Sequence, residues 1–334
     1  MNKIIQFTPG ILFCFAIAVP AWFLGKSYPL IGAPVFGILF GMALIKIAPN
    51  FEHGIKFTSK KILQYSIILL GFEMNLFNVL KVGCQSLYVM LFTLSAAFLT
   101  AYFVGKLMKL EGKTTTLIGV GTSICGGSAI AATAPVIQAR DKDVAHAIST
   151  IFLFNIIAVF IFPALGHMLR MTDTGFGMWA GTAINDTSSV VAAATAWSSA
   201  AGNNTALAFA TIVKLTRTLM IVPITLALAI YTAKKSSMEN NISAFNFSKI
   251  FPWFVLWFVL ASIMNTFAGI PVQVSGALTE AGKFMITMAM VAIGLNTNII
   301  YLIKNGLKPI LLGLCCWFAV AAASIVVQAS INFW

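Results

Sequence analysis

Eleven long apolar runs follow one another along this chain with short connections between them. They lie near residues 10–25, 28–47, 62–80, 86–107, 114–138, 144–169, 175–200, 204–232, 250–268, 282–303 and 308–332. A helix takes roughly 20 predominantly apolar residues to cross the hydrocarbon of a bilayer, and most of these runs approach or exceed that length. Composition closes the alternatives. Of 334 residues, 59% are hydrophobic and 9% are charged, against about 25% charged in an ordinary soluble domain. So few ionisable side chains cannot coat a water-soluble particle, and a disordered chain would need low hydrophobicity. The sequence predicts an all-α polytopic membrane protein, one membrane domain over residues 1–334 with about 11 transmembrane helices. The first run follows Lys3 as a signal peptide would. Pro9, Pro20 and Trp22 interrupt it and no small-x-small cleavage site follows, so it reads as a span.

Lys and Arg number 21 against 9 Asp and Glu, a surplus of 12. In a membrane protein that surplus marks cytoplasmic loops rather than a nucleic-acid partner. With the N-terminus inside and the runs alternating, 14 basic residues fall on the cytoplasmic side: Lys3, Lys46, Lys56, Lys60, Lys61, Lys106, Lys109, Lys113, Arg170, Lys234, Lys235, Lys249, Lys304 and Lys308. Five fall outside: Lys26, Lys81, Arg140, Lys142 and Lys283. The bias predicts a bacterial inner-membrane protein with a cytoplasmic N-terminus and an external C-terminus. The longest polar connection, near Ala233 to Lys249, reads as a cytoplasmic linker. Cys14, Cys84, Cys125, Cys315 and Cys316 have neither metal-ligand spacing nor a disulfide pattern. His53, His146 and His167 belong to no zinc or nucleophile motif. No cofactor, metal or catalytic residue is expected.

Two internal similarities appear. At an offset of sixty, Gly121-Thr122-Ser123-Ile124 recurs as Gly181-Thr182-Ala183-Ile184, with Ser128, Ala132 and Pro163 meeting Ser188, Ala192 and Pro223. Separately, Lys60–Gly83 matches Lys283–Gly306 at Lys60, Gly71, Asn75, Lys81 and Gly83. The second match joins runs of opposite direction, the pattern of an inverted repeat in secondary transporters. The first joins runs of the same direction if both cross fully. Either a segment is re-entrant, or one match is only small-residue composition.

The polar exceptions inside the runs are few. The fifth run carries Gly121, Thr122, Ser123, Gly126, Gly127 and Ser128 at its centre. Such a stretch either packs closely on neighbours or unwinds to offer backbone groups to a ligand. The seventh carries Asn185, Asp186, Thr187 and Ser188, and the eighth carries Lys214 and Arg217, three residues apart on one helix face. Ionisable groups at that depth mark function by default, although a structural ion pair between the two runs would also account for them. Glu73, in Gly71-Phe72-Glu73-Met74-Asn75, aligns with Asn296, in Gly294-Leu295-Asn296-Thr297-Asn298. Matched carboxylates and amides could hold Na⁺ or a proton, or lie in interfacial water near a span end.

The run Gly119–Ala139, with Gly181–Asp186 and Lys214-Leu215-Thr216-Arg217, resembles the YeiH family of bacterial inner-membrane proteins over nearly the whole chain. These are conserved hypothetical proteins that often carry a sulfate-exporter label. The family is similar, distantly, to the cation/proton antiporter and anion transporter superfamily. That resemblance implies inverted repeats with broken helices crossing at mid-membrane. Asn185-Asp186 is similar to the Asn-Asp pair of some Na⁺/H⁺ antiporters, which place their basic residues elsewhere.

The expected function is ion-coupled secondary transport of a small anion, such as sulfate or a sulfonate, by alternating access. Thr122, Ser123, Gly126, Gly127, Ser128, Asn185, Thr187, Ser188, Lys214 and Arg217 would bind substrate. Asp186, Glu73, Asn296 and Asn298 would serve coupling by H⁺ or Na⁺, with Asp186 pairing with Lys214 in one state and taking up a proton in another. The lipid bilayer and the anion are the expected partners, and a homodimer is left open. The alternatives are a Na⁺/H⁺-type antiporter using Asn185-Asp186, a membrane-embedded lipid-acting enzyme, and a non-transporting membrane partner or sensor.

Overall fold

The computed structural model describes residues 3–29, 31–46, 51–236, 251–297 and 306–333. Asn298 and most of the expected linker lie outside them. The regular elements among the described residues are all helices. The chain begins with α1 (Lys3–Ser27), α2 (Ala33–Ala43), α3 (Glu52–Phe57) and α4 (Leu63–Leu70), the last two joined by a π turn over Thr58–Ile62. Then come α5 (Leu76–Leu107), α6 (Gly112–Ser123), α7 (Gly127–Val136) and α8 (Asp141–Met168). These lead to α9 (Asp173–Ala183), α10 (Thr187–Ala201), α11 (Thr205–Leu219) and α12 (Ile221–Ser236). The chain closes with α13 (Trp253–Phe267), α14 (Val272–Leu295) and α15 (Leu307–Ser330). Among the described residues, six stretches are long and apolar enough to cross a membrane: Gln6–Ser27, Leu76–Leu107, Lys142–Met168, Thr205–Thr232, Val272–Leu295 and Leu307–Ser330.

Two boundaries differ from those read in the sequence. The third apolar run ends at Glu73, because Met74 and Asn75 are extended and the Asn75 side chain caps α5 by accepting the Phe77 N–H at 2.9 Å. Lys81 therefore lies inside α5 rather than in a loop. Lys283 likewise lies inside α14, where it pairs with Glu280 one turn away at 2.8 Å.

The fifth and seventh runs, which the sequence leaves open between full and re-entrant spans, do not pass straight through the bundle. Lys113, at the start of α6, donates to the carbonyl of Gln138, just beyond the end of α7. The two helices therefore fold back as a hairpin. Thr114 bonds Asp143 at 2.6 Å, and Gly121 lies against Ile151, so α8 runs alongside α6 in the same direction. The second hairpin repeats the first. Trp197, near the end of α10, stacks on Phe176 at 4.1 Å and donates to Asp173 at 2.7 Å, both near the start of α9. Gly177 packs against Ala206 and Phe209, and Gly181 against Ala210 and Val213, so α11 also runs parallel to α9. Small residues four apart allow this close approach.

Between the hairpins lies α8. Its 28 residues at about 1.5 Å each span about 42 Å, more than the roughly 30 Å of bilayer hydrocarbon. The first hairpin therefore opens toward one end of the bundle and the second toward the other. The offset of sixty is thus an inverted relation: α6, α7 and α8 correspond to α9, α10 and α11–α12. Pro163 in α8 and Pro223 in α12 keep their match. The fold-back also regroups the basic residues. Arg140 and Lys142 join Lys113 and Lys308 at one end, and Arg170 lies at the other.

The second similarity is also legible in space. Gly282 of α14 meets Ser66, Leu69 and Leu70 of α4, while Met288 to Leu295 cluster with Ile55, so α4 and α14 are antiparallel. Each leads into a long helix, α5 or α15. Those two are antiparallel as well, with Lys308 reaching the Met108 carbonyl at 3.3 Å.

Candidate functional site

The hairpin tips meet. Gly126 is the N-cap of α7 at φ 69° and ψ −129°, a conformation that glycine adopts readily and other residues rarely. A Cβ built on it would lie 3.3 Å from Asp186 Cβ and 3.4 Å from Ile151. Each tip joins a helix C-terminus, where carbonyls lack intrahelical donors, to a helix N-terminus, where N–H groups lack acceptors.

Lys214 and Arg217 supply the missing donors on the carbonyl side. Both are fully buried. Lys214 Nζ donates to the Ile124 carbonyl at 3.0 Å and to the Ile184 carbonyl at 2.9 Å, so one ammonium bridges the ends of α6 and α9. Arg217 Nε donates to the Ser123 carbonyl, and Nη2 to the Thr122 carbonyl at 3.1 Å. A cation is favoured at a helix C-terminus by the macrodipole. Burying an ion costs several kcal/mol unless it is fully hydrogen-bonded. Lys214 keeps one donor beyond its two bonds, and Arg217 Nη1 is buried with no partner.

On the N–H side, the Asp186 carboxylate caps α10. It accepts the Ser188 N–H at 3.0 Å and also the Ser188 hydroxyl. The expected Asp186–Lys214 ion pair is absent: none of the pairs among the described residues includes either side chain. The ammonium is directed at the two carbonyls instead. The Asp186 N–H donates to Asn155 Oδ1 of α8 at 3.1 Å. Asn155 was not among the residues read from the sequence. It is an amide in the otherwise apolar stretch Ile151–Phe162, and that isolation was the available signal.

Several expected donors are already engaged. The Ser123 hydroxyl bonds the Val120 carbonyl at 3.1 Å, and the Gly126 N–H bonds the Gly121 carbonyl at 3.0 Å. Of the others, Thr122 Oγ1 and both polar atoms of the Asn185 carboxamide are buried and free, as is Nδ2 of the unexpected Asn155. Thr187 is buried at the start of α10, Gly127 is half-buried, and Ser128 is exposed.

Glu73 and Asn296 do not belong to this cluster. Glu73 is exposed and accepts from Asn204 Nδ2 at 2.7 Å, at the end of the bundle where α10 turns into α11. Asn296 is the exposed C-cap of α14. Because α4 and α14 are antiparallel, the two lie toward opposite ends. The sequence match between them reflects the inverted relation, not a shared site.

A multi-helix membrane bundle with two opposed hairpins, their tips joined at buried cations, is the class of protein that this geometry defines. The comparisons agree with a membrane protein. Residues 9–313 match the family model described as conserved hypothetical protein 698. A UPF0324 membrane protein of Fusobacterium nucleatum is 52% identical over 338 residues, covering 96% of each chain. One from Streptococcus agalactiae is 52% identical over 332 residues, covering 98% of each, and one from Streptococcus mutans is 50% identical over 342 residues, covering all of both. The chain belongs to the conserved hypothetical protein 698 (UPF0324) family of multi-pass membrane proteins.

Proposed function

We propose that the protein is a secondary transporter of a small anion, sulfate or a sulfonate being the chemical class tested first, and that the anion binds at the meeting of the hairpin tips. One observation carries this reading. Among the described residues, two fully buried cations at the tips are held by backbone carbonyls and not by a carboxylate, and Arg217 Nη1, Asn155 Nδ2, Asn185 Nδ2 and Thr122 Oγ1 are buried without hydrogen-bond partners. A buried donor without a partner costs about 1–3 kcal/mol. An anion offers acceptors to these donors and offsets the surplus positive charge. Arg217 supplies the charge-assisted contact, Asn155, Asn185 and Thr122 supply neutral donors, and Gly127, Ser128 and Thr187 line the N-terminal ends of α7 and α10. Hairpins opening toward opposite ends are the inverted arrangement on which alternating access is built in secondary transporters. On this reading the basic end, with Lys113, Arg140, Lys142 and Lys308, faces the cytoplasm of an inner membrane.

The Na⁺/H⁺ antiporter reading would set a mobile cation beside Asp186, where Lys214 and Arg217 already hold the neighbouring carbonyls. A melting screen of purified protein against sulfate, sulfonates, carboxylates and chloride at matched ionic strength tests the proposal. A ligand at 100 times its Kd stabilises by about 2.7 kcal/mol, a rise of several degrees. A rise specific to one anion, lost in Arg217→Gln, is the expected result. Indifference to every anion, with Na⁺ or K⁺ pulses collapsing a pH gradient in proteoliposomes, would favour the cation exchanger.

A further inference from the structure

The ends of α6 and α9 converge from opposite halves of the bundle, and their terminal carbonyls point at one place. Each terminus carries roughly half a negative charge, so the convergence is repulsive unless a cation sits between. Half-helix C-termini of this kind are where transporters coordinate a coupling Na⁺. Here the place is taken by Lys214 Nζ, 3.0 Å from the Ile124 carbonyl and 2.9 Å from the Ile184 carbonyl. Arg217 completes the neutralisation on the Ser123 and Thr122 carbonyls. Thr211, Lys214 and Thr218 share one face of α11, and both hydroxyls bond carbonyls of that helix, so neither competes for the ammonium.

We propose that Lys214 is a tethered cation standing in the place of a coupling Na⁺, so that the two hairpins stay joined without any alkali ion and the transport cycle is independent of Na⁺. The inference uses the same hairpin site as the transport reading, but its test holds the anion constant, varies only the cation and involves no flux. Removal of the ammonium leaves the Ile124 and Ile184 carbonyls facing each other across a space lined by oxygen. That space then accepts a free cation.

The test is a melting series on purified full-length protein in sodium chloride or choline chloride at equal concentration, for wild type, Lys214→Ala, Lys214→Met and Lys214→Arg. Wild type and Lys214→Arg are expected to melt at the same temperature in both salts. Lys214→Ala is expected to melt lower in choline and to regain several degrees in sodium, with saturation. Lys214→Met fills the space with an apolar stem, so it is expected to melt lower without the sodium gain. If Lys214→Ala is too unstable to purify in choline, its recovery as a monodisperse species only in sodium is the same result. A sodium-specific shift in wild type would overturn the proposal. So would a Lys214→Ala protein whose melting and recovery are the same in both salts. Failure of the anion screen alone would leave this pattern in place, and would count against the transport reading instead.

Discussion

Gly126→Ala and Gly127→Ala are neighbouring substitutions that the hairpin separates by sign. In a straight helix over residues 112–136 both would stabilise, since replacing glycine at a compatible position contributes about 0.4–1 kcal/mol. In the hairpin, Gly126 has φ 69° and ψ −129°. Holding a residue with a Cβ in such a region costs about 1–3 kcal/mol. The new methyl would also press on Asp186 Cβ at 3.3 Å and Ile151 at 3.4 Å, pushing the two tips apart. Gly127 is the first residue of α7, and a Cβ there meets only the Phe152 ring at 3.4 Å. The difference between the two variants is therefore about 1.5–4 kcal/mol. At about 2–4 °C per kcal/mol for a domain of 150–250 residues, and somewhat less for a larger one, that is a gap of several degrees in melting temperature. Scanning fluorimetry of detergent-purified protein reads it. Gly126→Ala is expected below wild type and Gly127→Ala at or slightly above it. Equal shifts for both, or a Gly126→Ala protein that melts with wild type, would refute the turn at the tip and restore a straight span.

Three further outcomes are expected. In a cysteine-free background, single cysteines at Lys113, Gln138 and Lys142 should all react with an impermeant thiol reagent from one side of the membrane, and one at Arg170 from the other; a straight fifth span would instead put Lys113 and Gln138 on opposite sides. Asn155→Leu leaves the Asp186 N–H without an acceptor, at a cost of about 1–3 kcal/mol, and should reduce anion uptake far more than it lowers the amount of protein in the membrane; uptake at the wild-type level would remove Asn155 from the site. Glu73→Gln breaks no ion pair among the described residues and disturbs an exposed bond to Asn204, so it should change stability by less than about 1 kcal/mol and leave uptake intact, as a fluorimetry and flux comparison would register.

Much of this was legible in the chain. The apolar runs recovered the helical segments, because hydrophobic length is a local property and α1, α5, α8 and α15 depend on little else. The polar exceptions at Asn185, Asp186, Lys214 and Arg217 mark the place where the hairpin tips meet, because a charge in an apolar run has few other uses. The sequence leaves the fold-back at Gly126 and Asp186 open, as a re-entrant segment or a full span. A run of 25 apolar and small residues looks the same whether it crosses or returns, and the direction is decided by contacts such as Lys113 with Gln138 that are distant in sequence. The partners of the cations were missed for a related reason. Backbone carbonyls have no sequence signature, so Asp186 was the visible counterion for Lys214, although the structure directs the ammonium at Ile124 and Ile184. Glu73 and Asn296 are both exposed and lie toward opposite ends, as the interfacial-water reading of that match expects.

The transport claim is tested most directly by uptake of radiolabelled sulfate, with a panel of sulfonates as competitors, into proteoliposomes of wild type, Arg217→Gln and Glu73→Gln. A charge-assisted hydrogen bond contributes about 1.5–3 kcal/mol, which corresponds to a tenfold or greater loss of affinity. The account predicts saturable uptake by wild type and Glu73→Gln, and at least a tenfold fall in Arg217→Gln at limiting anion. Uptake in Arg217→Gln equal to wild type, or no flux of any anion in the panel through well-reconstituted wild type, would contradict it.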